Sequence, residues 1–132
     1  MGVIKFKIIT PKGLFYEGEA DIINLPLTKG MTGILPSHFP LVSTIEIGEL
    51  VFRYKGVSRT LAISGGVLHV QKEETLILAN SIEFKEDIDL DRAKESEKRA
   101  RERLEKKDST LDIKRAEIAL RKALNRIKIA EK

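Results

Sequence analysis

Every glycine, proline and aromatic residue of this chain lies before position 87, while the 46 residues from Asp87 onward carry 26 charges. Glycine and proline punctuate turns, and aromatic and β-branched side chains fill pleated, half-buried sheets, so their abrupt disappearance marks a change of architecture. The sequence therefore predicts two physical objects: a sheet-rich body over residues 1–86 and a helical segment over residues 87–132. With 132 residues in all, only the first part is long enough to hold a main hydrophobic core.

Charge follows the same division. Residues 1–86 hold nine Lys/Arg against nine Asp/Glu, so the net charge of +4 resides wholly in the last segment, with 15 basic and 11 acidic residues. A mildly cationic segment favours an acidic partner surface or a polyanion. The chain has no cysteine, and His38 and His69 are far apart, which argues against disulfides and thiolate- or histidine-based metal sites. Met1-Gly2-Val3-Ile4-Lys5-Phe6 has neither a signal-peptide apolar core nor a myristoylation signal, and no apolar run approaches the roughly 18 residues needed to span a bilayer. Any membrane association is expected to be indirect, through a partner.

Within the body, apolar and β-branched runs at Val3–Thr10, Glu19–Pro26, Leu41–Ile47, Glu49–Tyr54, Val57–Ile63, Val67–Gln71 and Thr75–Asn80 are separated by turn-forming residues. Their period-two alternation predicts an antiparallel β-sandwich or flattened barrel. Beyond Glu86 the period becomes helical. Asp89 is a suitable N-cap, and Leu90, Ala93, Ala100 and Leu104 share one face of a first helix expected to reach about Lys107, with Glu97 interrupting the stripe. Lys106 to Thr110 form a polar connection, and Ser109 with Asp112 resembles a capping box. Ile113, Ala116, Leu120, Ala123, Ile127 and Ala130 then mark a second helix. The fold class is thus α+β, an antiparallel β-sandwich followed by an antiparallel two-helix hairpin.

Few residues suggest chemistry. No GxxxxGK[ST] phosphate loop is present, Gly65-Gly66 suits a bend in the sheet, and His38 in the Gly33–Leu41 loop has no nucleophile or carboxylate beside it in sequence. No catalytic residue is identified. Four acid-before-base i,i+4 pairs, Glu95/Arg99, Glu97/Arg101, Glu102/Lys106 and Glu117/Arg121, account for much of the helical charge as a solvated surface. Lys122 and Arg126 have no such acid. With Arg92 and Arg99 on the first helix, they could surround a polyphosphate if the helices converge. A nucleic-acid-binding module is the alternative reading, although the hairpin lacks the aromatic side chains on which bases stack.

Several further marks run the length of the chain: Thr10-Pro11 with Tyr16-Glu17, Gly33-Ile34-Leu35-Pro36-x-His38-x-Pro40-Leu41, Ser64-Gly65-Gly66, and Asp112-x-Lys114-Arg115-Ala116-Glu117-x-Ala119-Leu120. Together they resemble the epsilon-subunit family of bacterial F-type ATP synthases. The resemblance implies a non-catalytic central-stalk subunit at the cytoplasmic face of the bacterial cell membrane. It implies as partners the gamma subunit, the c-ring and the alpha/beta catalytic hexamer, with no nucleic acid and only indirect membrane contact. The hairpin would fold on the sandwich, or extend and block ATP hydrolysis.

The resemblance also implies ATP as a regulatory ligand, with participation of Mg²⁺ left open. Some family members carry Ile/Leu-Asp-x-x-Arg-Ala at the start of the first helix, and here Ile88-Asp89-Leu90-Asp91-Arg92-Ala93 matches it. By position, Glu83 and Asp89 would meet the adenine and ribose, and Arg92, Arg99 and Arg126 the phosphates, with Ile88, Ala93 and Lys122 completing the site. Lys122 stands where the family often has arginine, whose fork binds phosphate bidentately. Met31 stands where it often has an acid. Met31 and His38 are the implied partner contacts.

Overall fold

In the computed structural model, which describes residues 2–106 and 109–132, eight strands precede two helices. The strands are β1 (Ile4–Thr10), β2 (Gly13–Ala20), β3 (Ile22–Leu27), β4 (Gly30–Ile34), β5 (Leu41–Tyr54), β6 (Val57–Val70), β7 (Thr75–Ala79) and β8 (Ile82–Phe84). A 3₁₀ turn at Lys85–Asp87 leads to α1 (Leu90–Lys106) and α2 (Thr110–Ala130). One compact unit ends at Phe84 and the second begins at Lys85. The architecture is the expected β-sandwich followed by a helical hairpin.

The strands hydrogen-bond in the order β2-β1-β7-β6-β5-β3-β4, with β8 also paired to β6. All pairings are antiparallel except β1 with β7, which run parallel from Phe6↔Thr75 to Ile9↔Leu78. The 14-residue strands β5 and β6 pair from end to end apart from Glu46 and Gly65, joined by Lys55-Gly56 with positive φ at both residues. The last five residues of β6, Gly66–Val70, pair with β7, and Leu61–Ile63 midway along it pair with β8. Its change of layer falls at Gly65-Gly66, where φ is +87° and +156° and an added Cβ at Gly66 would run into the Leu78 carbonyl. The expected break at this pair is a bend within one continuous strand.

Alternation directs Phe6, Ile8, Ile23, Leu25, Leu50, Leu61, Ile63, Leu68 and Ile77 inward, where all are essentially buried. Each such side chain stabilises the fold by roughly 1.5–3 kcal/mol through burial. Phe6 of β1 meets Phe52 of β5 edge-on, with ring centroids 5.0 Å apart. Residue-level expectations missed β2, β4 and β8. The expected strand over Glu19–Pro26 is interrupted at Asp21, whose N–H donates to the Arg53 carbonyl while its carboxylate accepts from the Lys55 N–H, at 2.7 and 2.9 Å. β2 escapes the apolar pattern because it is an edge strand, with Glu17 paired to Lys7 on β1.

In the second unit, Asp89 Oδ1 accepts from the Arg92 N–H at 3.1 Å, and Ser109 Oγ accepts from the Asp112 N–H at 3.1 Å, so both expected caps form. The expected connection includes Lys107 and Asp108, which lie outside the described residues. The buried positions of the helices are Ala93 and Ala100 on α1, and Ala116, Ala123 and Ile129 on α2. Ala93 and Ala123 lie 15 residues either side of position 108, and Ala100 and Ala116 eight residues either side. Such symmetry about the connection is that of an antiparallel seam with seven-residue spacing. The four seam methyl groups, at ~0.8 kcal/mol each, contribute only about 3 kcal/mol.

Candidate functional site

Each alanine of the seam is immediately preceded by a basic residue: Arg92-Ala93, Arg99-Ala100, Arg115-Ala116 and Lys122-Ala123. In an antiparallel pair, the positions just ahead of the seam on both helices lie along the same flank. Arg92 and Lys122 form one tier of this flank and Arg99 and Arg115 a second, seven residues or roughly 10 Å along the axis. This pairing is inferred from the alanine spacing, and it leaves Arg126, four residues after Lys122, off the two tiers. Arg115 was missing from the expected set because single-helix spacing does not reveal it. The signal was the recurring basic-alanine dipeptide.

The individual residues sit as follows. Asp89 is solvent-exposed and its carboxylate is engaged as the α1 cap, while its carbonyl accepts from the Ala93 N–H at 3.0 Å. Ile88 is half-buried just ahead of α1, its N–H donating to the Lys85 carbonyl at 3.2 Å. Arg92 and Arg99 are exposed, Lys122 and Arg126 are half-buried, and Arg126 Nε is closed off from solvent. Asp91 is exposed. Glu83 belongs to the first unit, on β8 opposite Ala62, and is half-buried.

Arg99 has partners already. Its Nη1 lies 3.5 Å from Glu95 Oε1 and its Nη2 donates to Ser96 Oγ at 3.3 Å. Arg101 pairs with Glu97 at 2.9 Å. Among the described residues these are the two of the four expected i,i+4 pairs that close; Glu102/Lys106 and Glu117/Arg121 do not. As exposed pairs they stabilise by only a few tenths of a kcal/mol each.

The sandwich presents two apolar surfaces. Met31, Leu35, Phe39 and Val42 are exposed around the loop between β4 and β5, Phe39 at 84%. There the His38 N–H meets the Leu35 carbonyl, and His38 Nδ1 donates to the Phe39 carbonyl at 2.8 Å, which ties the half-buried imidazole to its own loop. The second surface is a row in cross-strand register: Leu14 on β2, Ile9 on β1, Leu78 on β7 and Val67 on β6. Leu14 is 60% exposed, and Leu78 and Val67 are 40% exposed. Contiguous exposed apolar side chains of this kind mark interaction surfaces. Sequence reading missed the row because its members come from four separated strands.

Two family models match this chain end to end: ATP synthase, Delta/Epsilon chain, beta-sandwich domain over residues 3–85, and the corresponding long alpha-helix domain over residues 86–131. The chain is 44% identical over 126 residues to an ATP synthase epsilon chain of Clostridium novyi, covering 95% of each. It is 41% identical over 127 residues to that of Desulforamulus reducens, covering 96% of each. A chain in the Euglena gracilis mitochondrial ATP synthase structure (OSCP/F1/c-ring) shares the fold, with a TM-score of 0.79 at 22% identity, over 92% of this chain and 77% of that one.

Proposed function

The chain belongs to the delta/epsilon family of ATP synthase subunits, and from that premise we propose a central-stalk role in which its hairpin is a mobile, ATP-sensitive inhibitory element. As an epsilon-type chain it is a non-catalytic subunit of the complex. In this reading the sandwich contacts the gamma subunit and the c-ring. Leu14, Leu78 and Val67 of the row, and Met31, Leu35 and Phe39 around the loop that holds His38, are suited to such contacts, being apolar and exposed. The subunit then sits at the cytoplasmic face of the bacterial membrane, held there by the complex.

The hairpin is the regulatory part. A seam of four methyl groups is weak enough for the helices to separate, and a ligand that binds only the closed form shifts the balance by its differential affinity. The single observation that supports ATP as that ligand is the flank of Arg92, Arg99, Arg115 and Lys122 ahead of the four seam alanines. Cations gathered on one side repel one another until an anion joins them. Arg126 and the cap residue Asp89 complete the set with Ile88 and Ala93. In the absence of ATP the hairpin opens, extends toward the alpha/beta hexamer and stops hydrolysis.

Titration of the isolated chain with ATP, followed by the backbone amide shifts of α2, tests the ligand part. Shifts centred on Lys122 to Arg126 are expected. Millimolar ATP that moves no α2 amide would refute the sensor role.

A further inference from the structure

Glu95 is the acid on the cationic flank that lies directly against one of its arginines. It stands three residues after Arg92 and four before Arg99, so it occupies the same strip of α1 between two of the proposed phosphate contacts. Its Oε1 lies 3.5 Å from Arg99 Nη1, and Ser96 Oγ accepts from Arg99 Nη2 at 3.3 Å. A carboxylate oxygen and a hydroxyl oxygen together present to the guanidinium much what two phosphate oxygens would.

We propose that Glu95 and Ser96 are positioning residues that hold Arg99 in a substitute for its phosphate contact, so that ATP must displace Glu95 and its affinity is set by that competition. The inference rests on the hairpin binding ATP. Two effects of the Glu95 carboxylate add: it occupies the Arg99 fork, and it repels the incoming triphosphate. Both are moderated by solvent, since the Glu95 and Arg99 side chains are 66% and 61% exposed. The consequence is a moderate adjustment of affinity, tuned at a position that need not touch the nucleotide.

The test is a double-mutant cycle on the full chain, with the ATP dissociation constant measured by calorimetry for wild type, E95Q, R99A and E95Q/R99A. E95Q keeps the shape of the side chain and removes its charge. It is expected to tighten ATP binding about two- to fivefold, with a smaller gain in the same direction for S96A. In the R99A background the gain from E95Q should shrink to the smaller part that comes from direct repulsion of the triphosphate. A role in helix stability alone predicts the opposite sign, because loss of an i,i+4 pair loosens the closed hairpin and weakens binding. Unchanged or weakened binding in E95Q, or an equal gain with and without Arg99, would overturn the proposal while leaving ATP binding itself intact. Absence of ATP binding by the wild-type chain would overturn both.

Discussion

Replacing Ala116 by leucine probes how the hairpin is held. Ala116 is fully buried, and its methyl is one of the four alanine methyls of the seam. Those four contribute about 3 kcal/mol, whereas forcing three extra carbons into a packed site costs typically 1–3 kcal/mol. Ala116→Leu should therefore remove a third or more of the seam's stabilisation and raise the population of the open hairpin by about 5- to 150-fold, at 1.4 kcal/mol per factor of ten. Native-state hydrogen exchange reads this directly: α2 amides should lose protection by that factor while amides of β6 keep theirs. ATP affinity should fall in proportion to the closed fraction once the open form dominates. Unchanged protection in α2 would refute the alanine seam as what closes the helices.

Three further outcomes are expected. Arg92→Ala and Arg126→Ala should each weaken ATP binding by about 1.5–3 kcal/mol if these side chains make charge-assisted bonds; calorimetry showing wild-type affinity in both would remove the proposed site. Gly66→Ala should destabilise the sandwich by about 3 kcal/mol or more in urea unfolding, because the new Cβ meets backbone at Leu78 and Ala79 and the residue's φ of +156° disfavours a side chain. A loss below 1 kcal/mol would show that the bend in β6 adapts. Asp89→Ala should cost about 1 kcal/mol through loss of the α1 cap, seen as reduced protection of the Arg92 and Ala93 amides; unaltered protection would place the cap elsewhere.

Local chemistry was legible in the sequence wherever one stretch of chain decides the outcome. Asp89 and Ser109 cap as their side chains dictate, and the alanine spacing marks the seam. Gly65-Gly66 announces a bend, although only the pairing with β7 and β8 reveals that β6 continues through it. What depends on partners far along the chain was hidden. The parallel pairing of β1 with β7, the edge strand β2 with its alternating glutamates, and the row from Leu14 to Val67 all need the three-dimensional register. The same holds for the candidate site: Arg92, Arg99 and Lys122 were readable as cations, but their shared flank with Arg115 follows only when the helices are paired about their connection. The i,i+3 spacing allows Ser96 to reach Arg99, but only the side-chain geometry shows that the contact forms.

The strand through which the chain leaves the sandwich has a mechanical meaning. Phe84, its last residue, stacks on Phe15 with ring centroids 5.5 Å apart, meets Tyr16 edge-on at 5.6 Å and lies under the Arg59 guanidinium at 4.1 Å. Tyr16 passes the contact inward to Phe52 at 5.3 Å, and β8 is laced to β6 at Leu61, Ala62 and Ile63. Tension arriving along the backbone at Lys85 thus meets three ladder positions and an aromatic wedge at once, and is spread into the core instead of peeling the strand residue by residue. For a part of a turning machine, that makes Phe84 an anchor, at which load arriving along the chain is shared by the strand ladder and the aromatic cluster together.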